Sequence, residues 1–181
     1  MIEEKLIESN SDLNSDYYID CEIKGFDVQV EAFKISRFVD CVFEKLQFSG
    51  NSFNSTSFTG TEFKSCQLQN VNFSSVDKIG DVRFTNCEFK NCIFYDLNLD
   101  ETLFENCILK DCEFQNTSLK RVIFKNSNLQ KSHFHQCKLA EADFTSAKNY
   151  FISIERNDVK KAKFSMPEAL SLIEGLGVII E

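Results

Sequence analysis

A large apolar residue returns every five residues along most of this 181-residue chain. The series begins at Phe38, slips by one residue between Phe73 and Ile79, and then continues unbroken to Phe144. A period of five matches neither the 3.6 of an α-helix nor the 2 of a long strand, so each unit has to turn the chain by a fixed angle. Four such quarter-turns close a square coil, and the sequence therefore predicts an all-β solenoid.

The position two residues before each central residue provides a second test, because it also points inward on such a coil and has to be small. All eight Cys occupy this inward slot, which suits a residue that behaves as a small buried hydrophobe. They are Cys21, Cys41, Cys66, Cys87, Cys92, Cys107, Cys112 and Cys137. We interpret them as reduced packing residues. A metal or redox role stays open, because Cys87 lies one coil from Cys107, and Cys92 one coil from Cys112.

The charged residues avoid both inward positions. Between Ser36 and Ser146 every charged residue except Asp77 lies at one of the other three positions of its unit, and Asp77 belongs to the slip. An unpaired charge is costly to bury, so this separation distinguishes the inside of the coil from its outside.

The segments "CEFKN CIFYD" and "SNLQK SHFHQ CKLAE" resemble the pentapeptide-repeat family, whose unit is summarised as A-(D/N)-L-x-x with Phe allowed for Leu. The resemblance covers roughly residues 36 to 146 and implies a right-handed quadrilateral β-helix. Counting from Ile23 to Phe144 gives 25 central residues, or about six coils. We expect the solenoid to occupy residues 21–146, regular from about 36, with the slip near 76–81.

The two ends depart from the pattern. Residues 1–20 hold six acids against Lys5, which favours a flexible or loosely packed leader. Residues 147–181 should form a capping or dimerisation module, with a short helix over about 166–174 that starts with a Ser165/Glu168 capping box. One apolar side of this helix would cap the last coil. The other side and the apolar tail that follows resemble the dimerisation module of quinolone-resistance (Qnr-type) members, although a cap within one chain stays an alternative. The candidate dimer residues are Leu170, Ile173, Leu176, Val178, Ile179 and Ile180.

Motifs for catalysis, phosphate binding and metal binding are absent from the sequence, so we expect neither an enzyme nor a cofactor. His133 and His135 flank Phe134 and should both point outward as surface residues. The strongest candidate for partner binding is an acidic girdle packed into about one coil, and a basic stretch over 117–140 follows it. The girdle comprises Asp96, Asp100, Glu101, Glu105, Asp111 and Glu113.

The Qnr resemblance implies a mimic of B-form DNA that binds a type II topoisomerase, DNA gyrase or topoisomerase IV, as a homodimer, and modulates quinolone sensitivity. The net charge of −8 agrees in sign, yet the solenoid itself holds 17 acids against 14 bases over residues 21–146. A scaffold for another cytoplasmic protein is the alternative. Direct nucleic-acid binding is disfavoured, since the Phe rings that would stack on bases are predicted to be internal. No apolar run approaches the roughly 20 residues needed to span a bilayer, so we expect a cytoplasmic protein.

Overall fold

The computed structural model of the chain is a solenoid whose wall consists of four parallel sheets, one for each side of the coil. It describes residues 1–29, 32, 33, 35–50, 53–174 and 176. We number the four sides faces 1 to 4 in the order in which the chain visits them. The four-sided coil predicted from the five-residue period is confirmed.

The strands are short, with two or three residues each, because the chain turns a corner after every unit. Face 1 contains Ile2–Glu3, Tyr17–Ile19, Arg37–Val39, Ser57–Thr59 and Lys78–Gly80. Face 2 contains Leu6–Ile7, Glu22–Lys24, Val42–Glu44, Glu62–Lys64, Arg83–Thr85, Leu103–Glu105 and Ile123–Lys125. Face 3 contains Asp27–Val28, Gln47–Ser49, Gln67–Gln69, Glu88–Lys90 and Ile108–Lys110. Face 4 contains Ile93–Tyr95, Glu113–Gln115 and His133–His135.

Strand pairing sets the vertical register of the solenoid. On face 2, Phe43 pairs with Phe63, and Phe104 pairs with Phe124, so each central residue pairs with the one four units further along the chain. Across the slip, Phe58 pairs with Ile79 on face 1, and the coil there is longer by the one inserted residue. A side chain therefore lies directly over the equivalent residue of the preceding coil, at the strand spacing of about 4.8 Å.

The central residues form the core as continuous columns of rings and aliphatic side chains. Phe104 and Phe124 stack with their ring centroids 5.0 Å apart, and Phe124 and Phe144 follow at 5.1 Å. On the opposite face Phe114 lies between Phe94 and Phe134, with centroids 4.6 and 4.8 Å away and nearly parallel rings. The six coils predicted between Ile23 and Phe144 are confirmed, and the solenoid continues beyond both ends.

The inward slot has a hydrogen-bonding role as well as a size limit. The Cys87 thiol donates to the carbonyl of Phe63 at 3.3 Å, and the Ser127 hydroxyl donates to the carbonyl of Phe104 at 3.0 Å. Each acceptor is the carbonyl of a central residue in the preceding coil, so these side chains add a hydrogen bond between coils. This explains why the slot takes Cys, Ser and Thr as well as purely apolar residues.

The eight thiols are all free and buried. Burial raises the pKa of the Cys41 thiol to about 12, and burial likewise raises the pKa of Cys137. A thiol that stays protonated is a poor nucleophile and a poor metal ligand. The packing interpretation of Cys41 and Cys137 therefore has a chemical basis as well as a steric one.

A third periodic position lies at the corners, two residues after each central residue, where the backbone is left-handed. Asn86, Asn106 and Asn126, for example, have φ values of 55°, 53° and 53°. Asn, Asp and Gly tolerate this conformation better than other residues, and they recur at this position. Sequence analysis did not identify this corner position, although its Asn, Asp and Gly content was the available signal.

The N-terminal residues belong to the solenoid, in contrast to the flexible leader that their acidic composition favours. Ile2 pairs with Tyr18, and Ile7 pairs with Ile23, and both Ile7 and Tyr18 are buried. This first coil is shorter than the later ones by almost a whole unit, because a 3-10 turn at Asn10–Asp12 replaces a regular unit. The short coil breaks the five-residue period and hides the first turn from a periodicity search.

The C-terminal end of the solenoid also extends past residue 146, the boundary expected from the sequence. Phe164 stacks on Phe144 with centroids 5.2 Å apart, and the backbones of Lys163 and Asp143 form a parallel β-bridge. A 3-10 turn at Glu168–Leu170 and an α-helix at Ser171–Glu174 follow, a shorter element than the helix predicted over 166–174. The predicted capping box does not form, because the Ser165 hydroxyl donates instead to the Thr145 carbonyl at 2.6 Å.

None of the helices in the described part of the chain is long and apolar enough to cross a membrane.

Replacing Phe114 with Ala should lower the free energy of unfolding by about 3 to 5 kcal/mol, because the ring is fully buried between two others and its loss leaves a cavity. Urea denaturation followed by circular dichroism measures this change. The exposed neighbour Gln115→Ala is the control, and a loss below about 1 kcal/mol for Phe114→Ala would contradict the assigned register.

Candidate partner-binding surface

The acidic girdle surrounds the rod instead of forming one patch. Asp96 lies at the corner between faces 4 and 1, and Asp100 and Glu101 lie at the corner between faces 1 and 2. Glu105 is on face 2, Asp111 at the corner between faces 3 and 4, and Glu113 on face 4. A partner that touches one side of the rod would therefore contact only some of these six carboxylates.

Two girdle acids form ion pairs with the basic stretch one coil further on. Glu101 accepts hydrogen bonds from the guanidinium of Arg121, with the Nε–Oε1 distance at 2.8 Å. Glu105 lies 2.6 Å from the ammonium of Lys125. In both pairs the partners occupy equivalent positions of successive coils and are therefore directly stacked. The acidic and basic stretches that look separate in the sequence partly neutralise each other in the fold.

The remaining girdle acids differ in their surroundings. The Asp100 carboxylate accepts hydrogen bonds from the Ser118 hydroxyl at 2.6 Å and from the Lys120 backbone N–H at 2.9 Å, which gives it a structural role. Asp111 and Glu113 have no side-chain hydrogen bond or ion pair within the described residues. Of the predicted set, these two are therefore the most available to a partner.

Charge is distributed unevenly along the axis of the rod. Residues 1–116 contain 21 acids and 10 bases, a net charge of −11. Residues 117–164 contain 4 acids and 10 bases, a net charge of +6. The N-terminal coils therefore present an acidic surface, and the last coils present a basic one.

The corner between faces 1 and 2 carries two separate concave stretches, which together we call the corner groove. In each stretch one side consists of left-handed corner residues, and the other consists of residues two positions further along the chain, on face 2. One concave stretch of about 460 Å³ is lined by Gly60, Glu62, Asp81, Val82, Arg83 and Glu101. A second stretch of about 420 Å³ is lined by Arg121, Ile123, Glu141, Asp143, Lys161 and Lys163. The first stretch is predominantly acidic, and the second is of mixed charge.

The C-terminal end carries exposed apolar side chains. Met166 is 68% exposed, Phe151 50% and Leu176 44%, while Ile173 is exposed and Leu170 is half-buried. The predicted interface residues Val178, Ile179 and Ile180 lie outside the described residues. Phe151 was not predicted, although a large aromatic residue outside both inward positions was the available signal.

His133 and His135 are both exposed on one strand of face 4. Among the residues that the structure describes, no group of three or more His, Cys, Asp or Glu side chains is arranged to hold a metal ion.

Asp100→Ala should lower the free energy of unfolding by about 1 to 3 kcal/mol, because two donors lose a charged acceptor. The matched variant Glu113→Ala should change it by less than about 0.5 kcal/mol, since that carboxylate has no partner among the described residues. Chemical denaturation of both variants measures the difference, and equal losses would show that the two carboxylates do not differ in role.

Comparison with known proteins agrees with the repeat. The profile described as "Pentapeptide repeat region" matches residues 82–164, and the profile "Pentapeptide repeats (8 copies)" matches residues 36–77. No curated protein matches the chain.

Solved pentapeptide-repeat structures also align with the chain. A trypsin-treated variant of QnrB1, a plasmid-mediated fluoroquinolone resistance protein, is 15% identical with a TM-score of 0.45, over 99% of this chain and 98% of that one. Rfr23 from the cyanobacterium Cyanothece 51142 is 15% identical with a TM-score of 0.26, over 72% and 88%. HetL from Nostoc sp. strain PCC 7120, which is involved in heterocyst differentiation regulation, is 10% identical with a TM-score of 0.28, over 91% and 87%. The five-residue period, the two inward positions and the profile matches together show that the chain belongs to the pentapeptide-repeat family.

Proposed function

We propose that this chain is a non-enzymatic, protein-binding rod that acts as a DNA mimic toward a type II topoisomerase, either DNA gyrase or topoisomerase IV, and so modulates quinolone sensitivity. Membership of the pentapeptide-repeat family, together with the resemblance of the C-terminal sequence to Qnr-type members, brings this function into consideration. The observation that carries the proposal is the acidic character of the N-terminal two thirds of the rod.

The negative charge per unit length of those coils is closer to that of duplex DNA than the charge per unit length of the whole rod is. Residues 1–116 span almost six coils, or about 28 Å at the strand spacing. Duplex DNA of that length carries about 16 negative charges, compared with the −11 of these residues. A basic DNA-binding surface would therefore be attracted to the N-terminal coils and repelled by the last ones.

The C-terminal end provides the second part of the proposal, a homodimer. Met166, Phe151 and Leu176 are exposed apolar side chains of the C-terminal segment, and we assign the dimer interface to this segment. Joining two rods through this interface would place the basic coils near the centre of the dimer and the acidic coils at its two ends. We propose that the acidic ends, and not the centre, contact the topoisomerase.

The purified chain should inhibit gyrase supercoiling, or protect gyrase from a fluoroquinolone, at micromolar concentration. Supercoiling and cleavage assays on plasmid DNA measure both effects. The variant Asp20→Asn, Asp40→Asn, Asp81→Asn should be weaker, since it removes three acidic charges from the N-terminal coils. The variant Lys138→Gln, Lys148→Gln, Lys160→Gln, in the basic coils, should not be weaker. Absence of any effect by the unmodified chain would refute topoisomerase binding.

The dimer makes an independent prediction. Light scattering should give a mass of twice 20.9 kDa for the unmodified chain, and the monomer mass for Ile173→Lys, because a buried charge would disrupt an apolar interface. The exposed residue Ile35, toward the other end of the rod, provides the control Ile35→Lys, which should leave the mass unchanged. A monomer mass for the unmodified chain would rule out this interface.

A scaffold for a different protein partner is the second candidate, and the inter-coil ion pairs favour it. Glu101 and Glu105 direct their charges toward Arg121 and Lys125, which reduces the acidic potential in the middle of the rod. A partner that recognises side chains along one edge would be less sensitive to this loss than a DNA-binding surface. Protein binding without an effect on gyrase would identify this second function.

A further inference from the structure

The corner groove between faces 1 and 2 contains a gap in its column of acidic residues. The column has one residue per coil, and its members up to Glu101 are Glu4, Asp20, Asp40, Gly60, Asp81 and Glu101. Gly60 interrupts it with φ at +64° and no side chain. A Cβ added at Gly60 would clash with Oδ1 of Asp40, so the Asp40 carboxylate leans over this position. We call this gap the Gly60 notch.

The two acids beside the Gly60 notch are free to bind a cation. Within the described residues, the side chains of Asp40 and Asp81 have no hydrogen bond and no ion pair. Other acids of the groove are engaged, since Glu62 pairs with Lys64 and Glu101 pairs with Arg121. Asp40 and Asp81 are two coils apart, so a cationic group at the notch would lie against the Asp40 carboxylate, which reaches into this position, and about 5 Å along the axis from Asp81. The notch opens into the groove stretch of about 460 Å³.

An apolar surface lies further along the same groove. Leu103 and Ile123 pair across neighbouring strands of face 2, and Ile123 is 41% exposed. Ile123 lies about three coils beyond the Gly60 notch, or about 14 Å along the axis. The exposed Ile123 and the half-buried Leu103 provide an aliphatic contact two to three coils from the acidic notch, which a free small cation would not require.

We propose that the groove binds an extended segment of a partner protein, with an Arg or Lys side chain in the Gly60 notch and an aliphatic side chain on Leu103 and Ile123. An extended chain rises about 3.3 Å per residue, so four residues cover the distance between the two contacts. Side chains four positions apart also point to the same side of an extended chain. The recognised pattern is therefore a basic residue followed, or preceded, four positions away by an aliphatic one.

This inference rests on the protein-binding function proposed above and adds the surface and the chemistry of the partner. Charge complementarity selects the occupant: the notch carries two unpaired carboxylates, and a basic side chain neutralises them. A peptide can satisfy the notch and the aliphatic surface together, whereas a metal ion or a free polyamine satisfies the notch alone.

The test uses the full chain and two capped peptides in a nuclear magnetic resonance titration. The first contains Arg-Gly-Ser-Gly-Leu, with Leu four positions after Arg, and the second contains Arg-Gly-Ser-Leu-Gly, with Leu three positions after it. The first should bind more tightly and shift the amide signals of residues around Gly60 and Ile123. Equal binding of the two peptides, or full competition by spermidine or calcium at equal concentration, would overturn the peptide assignment.

A pair of glycine variants separates the notch from general effects on the fold. Gly60→Asn keeps a residue type that tolerates a left-handed corner but fills the notch and displaces Asp40. Gly50→Asn is the matched control, because Gly50 has φ of +66° at another corner and an added Cβ would meet nothing within 4 Å. Peptide affinity should fall about three- to tenfold for Gly60→Asn, as expected for the loss of two partly exposed charge contacts, and stay unchanged for Gly50→Asn.

Equal affinities for the two glycine variants, with both folded by circular dichroism, would overturn the role of the notch. The same variants in the gyrase assay distinguish this failure from failure of the proposed function. If Gly60→Asn still inhibits gyrase, topoisomerase binding is supported and the groove does not contribute to it. Notch-dependent peptide binding without any gyrase effect would keep the groove and refute the topoisomerase as partner.

Discussion

The hydrogen-bonded stacking of one coil on the next, at the spacing of parallel strands, is the constraint on which the rest of this structure depends. Since each residue lies over the equivalent residue of the preceding coil, the same residue type can satisfy the same need in every coil. Between Phe94 and Phe144, the Phe rings of successive coils stack at 4.6 to 5.1 Å because their backbones are held near that separation. The same spacing brings the thiol of Cys87 to the carbonyl of Phe63, and Arg121 to Glu101.

The inward half of the structure was predictable because it depends on a short period. The period located Phe114 and the stack through Phe124, and the slot two residues earlier located the cysteines. The first coil was not predictable in this way, since Ile7 and Ile23 pair across a shortened coil in which a 3-10 turn replaces one unit. The extension to Phe164 was missed for a related reason: the units after Ser146 lose the five-residue spacing before it returns at that residue.

The outward half was less predictable because its interactions connect residues one coil apart. In the sequence, residues 96–113 are acidic and residues 117–140 are basic, and they look like two independent surfaces. In the fold they stack, so Glu105 reaches Lys125 and Asp100 reaches the backbone of Lys120. Once the coil length is known, adding it to each position identifies such pairs, which means that the missing information was the register and not the chemistry.

The separation between inward-facing and outward-facing positions explains how a family can keep one fold and change its partners. Two positions in five build the core and cap the buried carbonyls, and the remaining three face the solvent with few packing demands. A column of outward residues can therefore change without disturbing the coil, as Gly60 shows within a column that otherwise carries Asp40 and Asp81. Burying a polar group without a hydrogen-bond partner destabilises the fold more than replacing one exposed charged residue does. The inward positions therefore keep their pattern, while the outward positions can vary. Recognition by such a rod is consequently encoded along its length, one residue per coil, and it has to be analysed by column as well as by sequence.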